Sequence, residues 1–195
     1  GIMLIFDEVQ TGFARTGSWG AMDYYNVTPD LSTWAKSMGS GMPIGTVIGK
    51  AEVMDAAAPG TIGGTYIGNP LACVASLATI QYIKDINLNE RGIEVGNIIR
   101  SRFEEMQAKF PQIGDVRGLG AMMAIEFVKN GDPRQPDGEL CGKIVKGCAD
   151  QNLIIISAGT YKNNIRILCP LTISNKLLNQ GLDIIEDEIE NAVKN

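Results

Sequence analysis

Five apolar residues, Ile2-Met3-Leu4-Ile5-Phe6, run without interruption into two acids, Asp7-Glu8. Such a run offers no polar face to water. It therefore predicts a strand covered on both sides, as in the middle of a parallel sheet, and with it an α/β fold. A central strand needs neighbours on both edges, so the chain reads as a piece of something longer, with Gly1 where an initiator Met would stand. An acid directly after the strand sits at the carboxyl edge of the sheet, where open parallel sheets bind ligands. Asp7 is then either a solvated strand end or a carboxylate that holds a cationic group of a ligand.

The chain has 195 residues, enough for one large domain or two small ones. Hydrophobic residues make up 45% and charged residues 20%, the balance of a globular protein. Net charge is −5, from 17 basic and 22 acidic residues, and no stretch gathers Lys and Arg into a basic face. Nucleic acid is thus not an expected partner. No apolar run approaches a membrane span and no signal peptide is visible, so the expectation is a soluble cytoplasmic protein with no membrane contact. Histidine is absent, which excludes Ser-His-Asp and Cys-His catalysis and every His-ligated metal site. Cys73, Cys141, Cys148 and Cys169 form no Cys-x-x-Cys pair, so no metal site is expected; they read as small buried apolar residues in a reducing compartment.

Residues 12–20 and 37–49 are rich in Gly, Ser and Pro and read as loops, the second running into a strand near Thr46-Val47-Ile48. Residues 59–70 form a long loop with Gly60, Gly63, Gly64 and Gly68. Leu71 to Lys84 lacks Gly and Pro and predicts a buried helix. Residues 89–109 predict an amphipathic helix with Ile93, Ile98, Ile99, Phe103 and Met106 inward. Strands are predicted at 115–117, 122–128, 153–157 and 165–168. Helices are predicted at 139–151 and 174–194, the last capped by Ser174. The pattern divides into a β/α part, 1–84, and a small α+β domain, 85–195.

Lys36 stands between an apolar stretch ending in Trp34-Ala35 and the glycine-rich run Ser37-Met38-Gly39-Ser40-Gly41-Met42-Pro43. A lysine there is either an ordinary surface cation or one withdrawn from bulk water, where its neutral amine serves as a nucleophile. It is not the lysine of a phosphate loop, because it precedes the glycines instead of following them. Paired with Asp7, it fits pyridoxal phosphate chemistry. That chemistry needs a lysine for the aldehyde and an acid facing the pyridinium nitrogen, and it needs no histidine.

Several ordered motifs then carry a family resemblance. Asp7-Glu-Val-Gln-Thr-Gly-Phe-Ala-Arg-Thr-Gly, Pro29-Asp30-Leu31, Ala35-Lys36-Ser37 and Gly41-Met-Pro resemble the class III aminotransferase pattern, with Asp7 and Lys36 29 residues apart. Gly63-Gly-Thr-Tyr-Ile-Gly-Asn-Pro-Leu-Ala and Asn164-Ile-Arg-Ile-Leu-Cys-Pro-Leu-Thr resemble its later blocks. The resemblance covers nearly the whole chain and is strongest to the branch acting on 4-aminobutyrate.

The resemblance implies the fold type I architecture: here the end of the large parallel-sheet cofactor domain plus the small C-terminal domain. It implies pyridoxal 5′-phosphate as cofactor. Asp7 would pair with the pyridinium nitrogen, Val9 would pack on the ring, Gln10 would hydrogen-bond the ring's phenolic oxygen, and Lys36 would bind the aldehyde covalently. Thr65 would bind the cofactor phosphate in the neighbouring subunit's site. Arg166 would clamp the substrate's α-carboxylate, a task suited to a planar bidentate donor. For three of these a structural role competes: Thr65 as a turn cap, Arg166 as partner of a structural acid, Gln10 as loop filler. The implied reaction moves an amino group from an ω-amino acid such as 4-aminobutyrate to 2-oxoglutarate, giving the semialdehyde and glutamate. Acetylornithine, ornithine and diamine donors share the pattern, and a non-catalytic assembly fragment is the alternative of another class. The implied partners are the amino acid and 2-oxo acid substrates, the N-terminal half of the same protein, and further copies in a dimer or tetramer. Without the N-terminal half's phosphate loop and ring-stacking aromatic, this chain alone is expected to be inactive.

Overall fold

The structure is a computed structural model and describes residues 1–194. It divides into two compact units, Gly1–Gly92 and Ile93–Asn195.

In the first unit, β1 (Ile5–Asp7), β2 (Leu31–Trp34) and β3 (Thr46–Gly49) form a sheet in the order β1-β2-β3. β1 and β2 are parallel, with Ile5 opposite Leu31 and Asp7 opposite Thr33; β3 is antiparallel to β2. The apolar run thus yields a strand of three residues at the sheet's edge, not the central strand its composition predicts. Ile2 is 98% exposed because within this chain β1 pairs on one side only. Asp30 ties the start of the sheet together. One of its oxygens accepts from the Leu4 amide (2.7 Å) and the other from Lys50 at the end of β3 (2.7 Å). These donors, Lys50 first, hold the Asp30 carboxyl below its ordinary range.

Two short helices, α1 (Ala21–Tyr24) and α2 (Ala51–Met54), precede α3 (Pro70–Asp85). Asn69 caps α3, accepting from the Leu71 and Ala72 amides with Pro70 at the first helical position. The helix is where the sequence puts it, but it is not a buried one. Ala72, Ser76 and Ile83 are buried, whereas Leu71, Val74 and Leu77 are each more than 60% exposed. Two of the three buried residues are small, and Ile83 is the one large side chain among them.

α4 (Leu88–Lys109) runs from the first unit into the second. There β4 (Ile113–Leu119), β5 (Met122–Phe127), β6 (Ile156–Ala158) and β7 (Asn164–Ile167) make an antiparallel sheet in the order β4-β5-β7-β6. Period-2 alternation gives one face to the core: Met123, Ile125, Ile165 and Ile167 are buried. α5 (Gly138–Asp150) and α6 (Asn175–Lys194) bring stripes at helical spacing, Leu140-Cys141-Ile144-Cys148 and Leu178-Leu182-Ile185-Ile189. α4 contributes Val95, Ile99, Phe103 and Met106; Ile93, expected inside, is 47% exposed, being off that stripe. The β6 strand begins three residues later than predicted, at Ile156, and Ser174 caps α6 through the Leu177 amide as expected. Cys141 and Cys148 are buried, and burial pushes their thiols up to about 11 and about 12. Cys73 and Cys169 are only half-buried, and none of the four is in a disulfide.

α4 and α6 are joined by ions. Arg102 meets Asp183 (2.7 Å) and Glu186 (2.9 Å), and Lys109 meets Glu186 as well. The Lys109 bond above all, then that of Arg102, holds the Glu186 carboxyl below its ordinary value of 4.5. A depressed carboxylate adds stability above its unfolded pKa and loses it as pH falls through the folded one. Glu186→Gln should therefore lower the urea midpoint at pH 7, and the deficit should shrink as pH is taken below 4.5, the ordinary value. Gly96 tests the packing. A Cβ there would land on the Gly120 carbonyl, so Gly96→Ala should cost ~2 kcal/mol or more, read by urea denaturation.

Candidate functional site at the carboxyl edge of the first sheet

Parallel strands deliver their last residues to the same edge. Asp7 ends β1, and Lys36 follows the end of β2 by two residues. The Asp7 carboxylate is oriented through one oxygen, Oδ1, which accepts from the Val9 amide (3.0 Å) and the Thr33 hydroxyl (3.3 Å). Its Oδ2 has no hydrogen-bond partner among the described residues, and the side chain is exposed.

Lys36 opens a 3-10 turn, Lys36–Gly39, with φ +50°. A left-handed non-glycine residue costs ~1–3 kcal/mol and persists where its surroundings impose it, often at a ligand site. The turn is imposed by tight packing: a Cβ at Gly39 would meet Ile44 at 2.6 Å. Ser40 closes the turn and accepts a hydrogen bond from Thr79 of α3 (3.0 Å). The Lys36 amine has no hydrogen bond or ion pair among the described residues. It is exposed, so of the two readings open to the sequence the structure shows the surface cation.

Glu8 is the residue the sequence reading passed over. It is an acid that is only 2% exposed. Its Oε2 accepts from the Ala21 amide (2.9 Å) and the Thr11 hydroxyl, and its Oε1 from the Met22 amide (2.8 Å). Its own amide donates to the Thr33 carbonyl (2.9 Å). The carboxylate thus closes the loop 9–20 back onto the end of β1. Gly12 and Gly20 are required by closeness: a Cβ at either would meet the Trp34 ring at 2.7 Å. Phe13 sets its edge against Trp19 (6.2 Å) and Trp34 (5.8 Å). In the sequence Glu8 is only the second acid of the Asp-Glu pair; no local pattern ties it to the amides of Ala21 and Met22 that hold it.

Val9 is half-buried and Gln10 exposed, both directly beyond Asp7 on this edge. Thr65 is exposed and lines, with Pro43, Ile44, Gly45, Gly63 and Gly64, a recess of about 410 Å³. The glycine-rich run after Lys36 and the 59–70 loop therefore share one cavity. Arg166 belongs to the second unit. It is half-buried on β7, opposite Ala124 and Ile156, and lines an apolar recess with Ile154, Leu168 and Pro170. Asp7, Val9, Gln10 and Lys36 thus share an edge, Thr65 lies in the same unit, and Arg166 is carried by another. Among the described residues no cluster of three His, Cys, Asp or Glu side chains could hold a metal. No described helix is long and apolar enough to cross a membrane.

Comparison with known proteins is consistent across sequence and structure. The family model described as aminotransferase class-III matches residues 1–189. The chain is 50% identical over 186 residues to a probable 4-aminobutyrate aminotransferase of Bacillus subtilis, covering 95% of this chain and 43% of that protein. It is 50% identical to a 5-aminovalerate aminotransferase of Pseudomonas aeruginosa, covering 96% and 44%. Among solved structures it resembles an Arthrobacter phospholyase in complex with phosphoethanolamine, with TM-score 0.89, 30% identity, and 96% and 45% covered. The chain spans less than half the length of the curated relatives it matches.

Replacing Glu8 by Ala leaves two half-buried amides without this acceptor, at ~1–3 kcal/mol each. Glu8→Ala should lower the unfolding free energy by about 3 kcal/mol, read by chemical denaturation, with Glu8→Gln falling between it and the parent.

Proposed function

The chain belongs to the class-III aminotransferases, and from that membership we propose that it is the C-terminal part of a pyridoxal 5′-phosphate-dependent transaminase. Residues 1–84 complete its large cofactor domain and residues 85–195 form its small domain. The proposed reaction moves the amino group of an ω-amino acid of four or five carbons, 4-aminobutyrate foremost, to 2-oxoglutarate. Equal identity to relatives named for 4-aminobutyrate and 5-aminovalerate supports that donor class.

The single observation that carries the reading is the pairing of Asp7 and Lys36 at one sheet edge. Asp7 keeps Oδ2 for a protonated ring nitrogen, while its Oδ1 is anchored. Lys36 holds an amine with no competing partner on a backbone strained toward one geometry. These residues fit the cofactor's two needs, a carboxylate and an amine. When bound, pyridoxal phosphate supplies an aldehyde that condenses with amines and a ring that takes up electron density from the adjacent carbon. Lys36 would hold the aldehyde and, once displaced by the donor amine, its Nζ would move the proton off the substrate's amino-bearing carbon. Val9 would pack against the ring, Gln10 would donate to its phenolic oxygen, and Thr65 would hold the phosphate from a neighbouring subunit. Arg166 would bind the substrate α-carboxylate.

The remaining N-terminal half of the protein, and a second copy in a dimer or tetramer, are the proposed macromolecular partners. Exposed apolar groups support this: Ile2, Leu71, Val74 and Leu77 of the first unit are each more than 60% exposed, more than isolated surface residues explain.

Borohydride reduction after incubation with pyridoxal phosphate, followed by peptide mapping, tests the site. The full-length protein should carry one stable adduct, on Lys36, and Lys36→Ala should lose both adduct and transamination. Absence of a specific adduct on Lys36 would overturn the reading. An adduct in the full-length protein but not in this chain would make this chain the inactive half.

A further inference from the structure

The position of a carboxylate and its orientation are set by different things. β1 places Asp7 at the sheet edge. The torsion that turns an aspartate's two oxygens is broad and nearly two-fold, so the strand alone leaves it loose. Donors must fix it, and both donors of Asp7 meet the same oxygen. Oδ1 accepts from the Val9 amide (3.0 Å) and from the Thr33 hydroxyl (3.3 Å). The amide belongs to the loop that follows Asp7. The hydroxyl comes from β2, directly opposite Asp7 in the parallel register.

Thr33 grips the acid pair twice. Its hydroxyl holds Asp7, and its carbonyl accepts from the Glu8 amide (2.9 Å). It is half-buried on β2, the strand that leads to Lys36. The hydroxyl therefore ties the carboxylate to the strand that delivers the amine. The strand itself does not ask for a hydroxyl. Threonine and valine share a branched shape, and both suit a pleated strand. The residue opposite Thr33 on β3 is Val47, which offers the hydroxyl nothing. Among the described residues Asp7 is that hydroxyl's one hydrogen-bond partner.

We propose that Thr33 is a positioning residue for cofactor binding: its hydroxyl fixes the plane of the Asp7 carboxylate, and so sets how that carboxylate meets a protonated ring nitrogen. A ligand anchored at two points is bound well only where both anchors are held in place. A carboxylate free to turn is in the binding orientation for a fraction of the time, and that fraction divides directly into the affinity. The proposal rests on the reading of Asp7 and Lys36 given above.

The test titrates the full-length apoprotein with pyridoxal 5′-phosphate and reads the cofactor's dissociation constant from its absorbance. Thr33→Val keeps the shape and removes the donor, and should raise that constant about fivefold or more. Thr33→Ser keeps the donor and should stay within about twofold of the parent. Asp7→Ala alone should raise the constant; adding Thr33→Val to it should change the constant by less than about twofold, because no carboxylate is left to orient. A purely structural role for Thr33 predicts the same penalty in both backgrounds. The proposal falls if Thr33→Val leaves the constant unchanged, if Thr33→Ser is as impaired as Thr33→Val, or if Thr33→Val costs as much beside Asp7→Ala as it does alone. Where Thr33→Val does not fold, Thr33→Ala takes its place under the same criteria. Asp7→Ala also separates the two readings. If it leaves the constant unchanged, Asp7 is not the ring's partner and both readings fall. If it raises the constant while Thr33→Val does not, only the present proposal falls.

Discussion

A carboxylate shut away from water must find its hydrogen-bond donors inside the chain, and Glu8 finds three. Much of the first unit's site follows from that need. The amides of Ala21 and Met22 supply two of the donors, so the chain must return to the end of β1 after its excursion through residues 9–20. The return brings Gly20 and Gly12 against Trp34, the last residue of β2, where a side chain would not fit. Asp7 precedes Glu8 and Val9 follows it, so pinning Glu8 pins both. The exposed acid at the sheet edge is thus held by the buried acid beside it. The same residue pair serves two environments because successive strand residues point to opposite sides.

The second unit solves a different problem. Its sheet hides one face under helices and leaves the other polar, and on that polar face like and unlike charges must be sorted. Arg117 is matched by Asp115 and Glu126 on neighbouring strands. Buried asparagines fill the remaining bonds, so the network is closed on itself. Arg166 stands one strand further along, beside apolar Ile154 and Leu168.

Much of this was legible in the sequence, for identifiable reasons. α5 and α6 carry periodic apolar stripes and a polar cap, and both were readable to within a residue. α3 was readable as a helix but not as an exposed one, because composition reports how apolar a segment is and not which other residues cover it. The same blindness made a central strand of Ile2–Phe6 and turned Ile93 inward. β6 came late because Leu153 to Ile155 are apolar enough to read as strand although they pair with nothing in the sheet.

The candidate site divides along the same line. Asp7 and Lys36 were readable because their placement depends on the ends of strands, and strand ends follow from local pattern: an apolar run that stops, and glycines that force a turn. Glu8 and Arg117 were not, because their roles depend on what a third segment brings to them. Two backbone amides from α1 define Glu8; residues on β5 and β7 define Arg117. Such roles arise from register, and register is a property of pairs of strands. A one-residue slip of β7 against β5 would carry Arg166 and Asn164 to the core side and leave Glu126 facing isoleucine. The apolar alternation Ile165-Ile167 against Met123-Ile125 forbids that slip. The packing that stabilises the second unit therefore also decides which carboxylate stands beside which arginine.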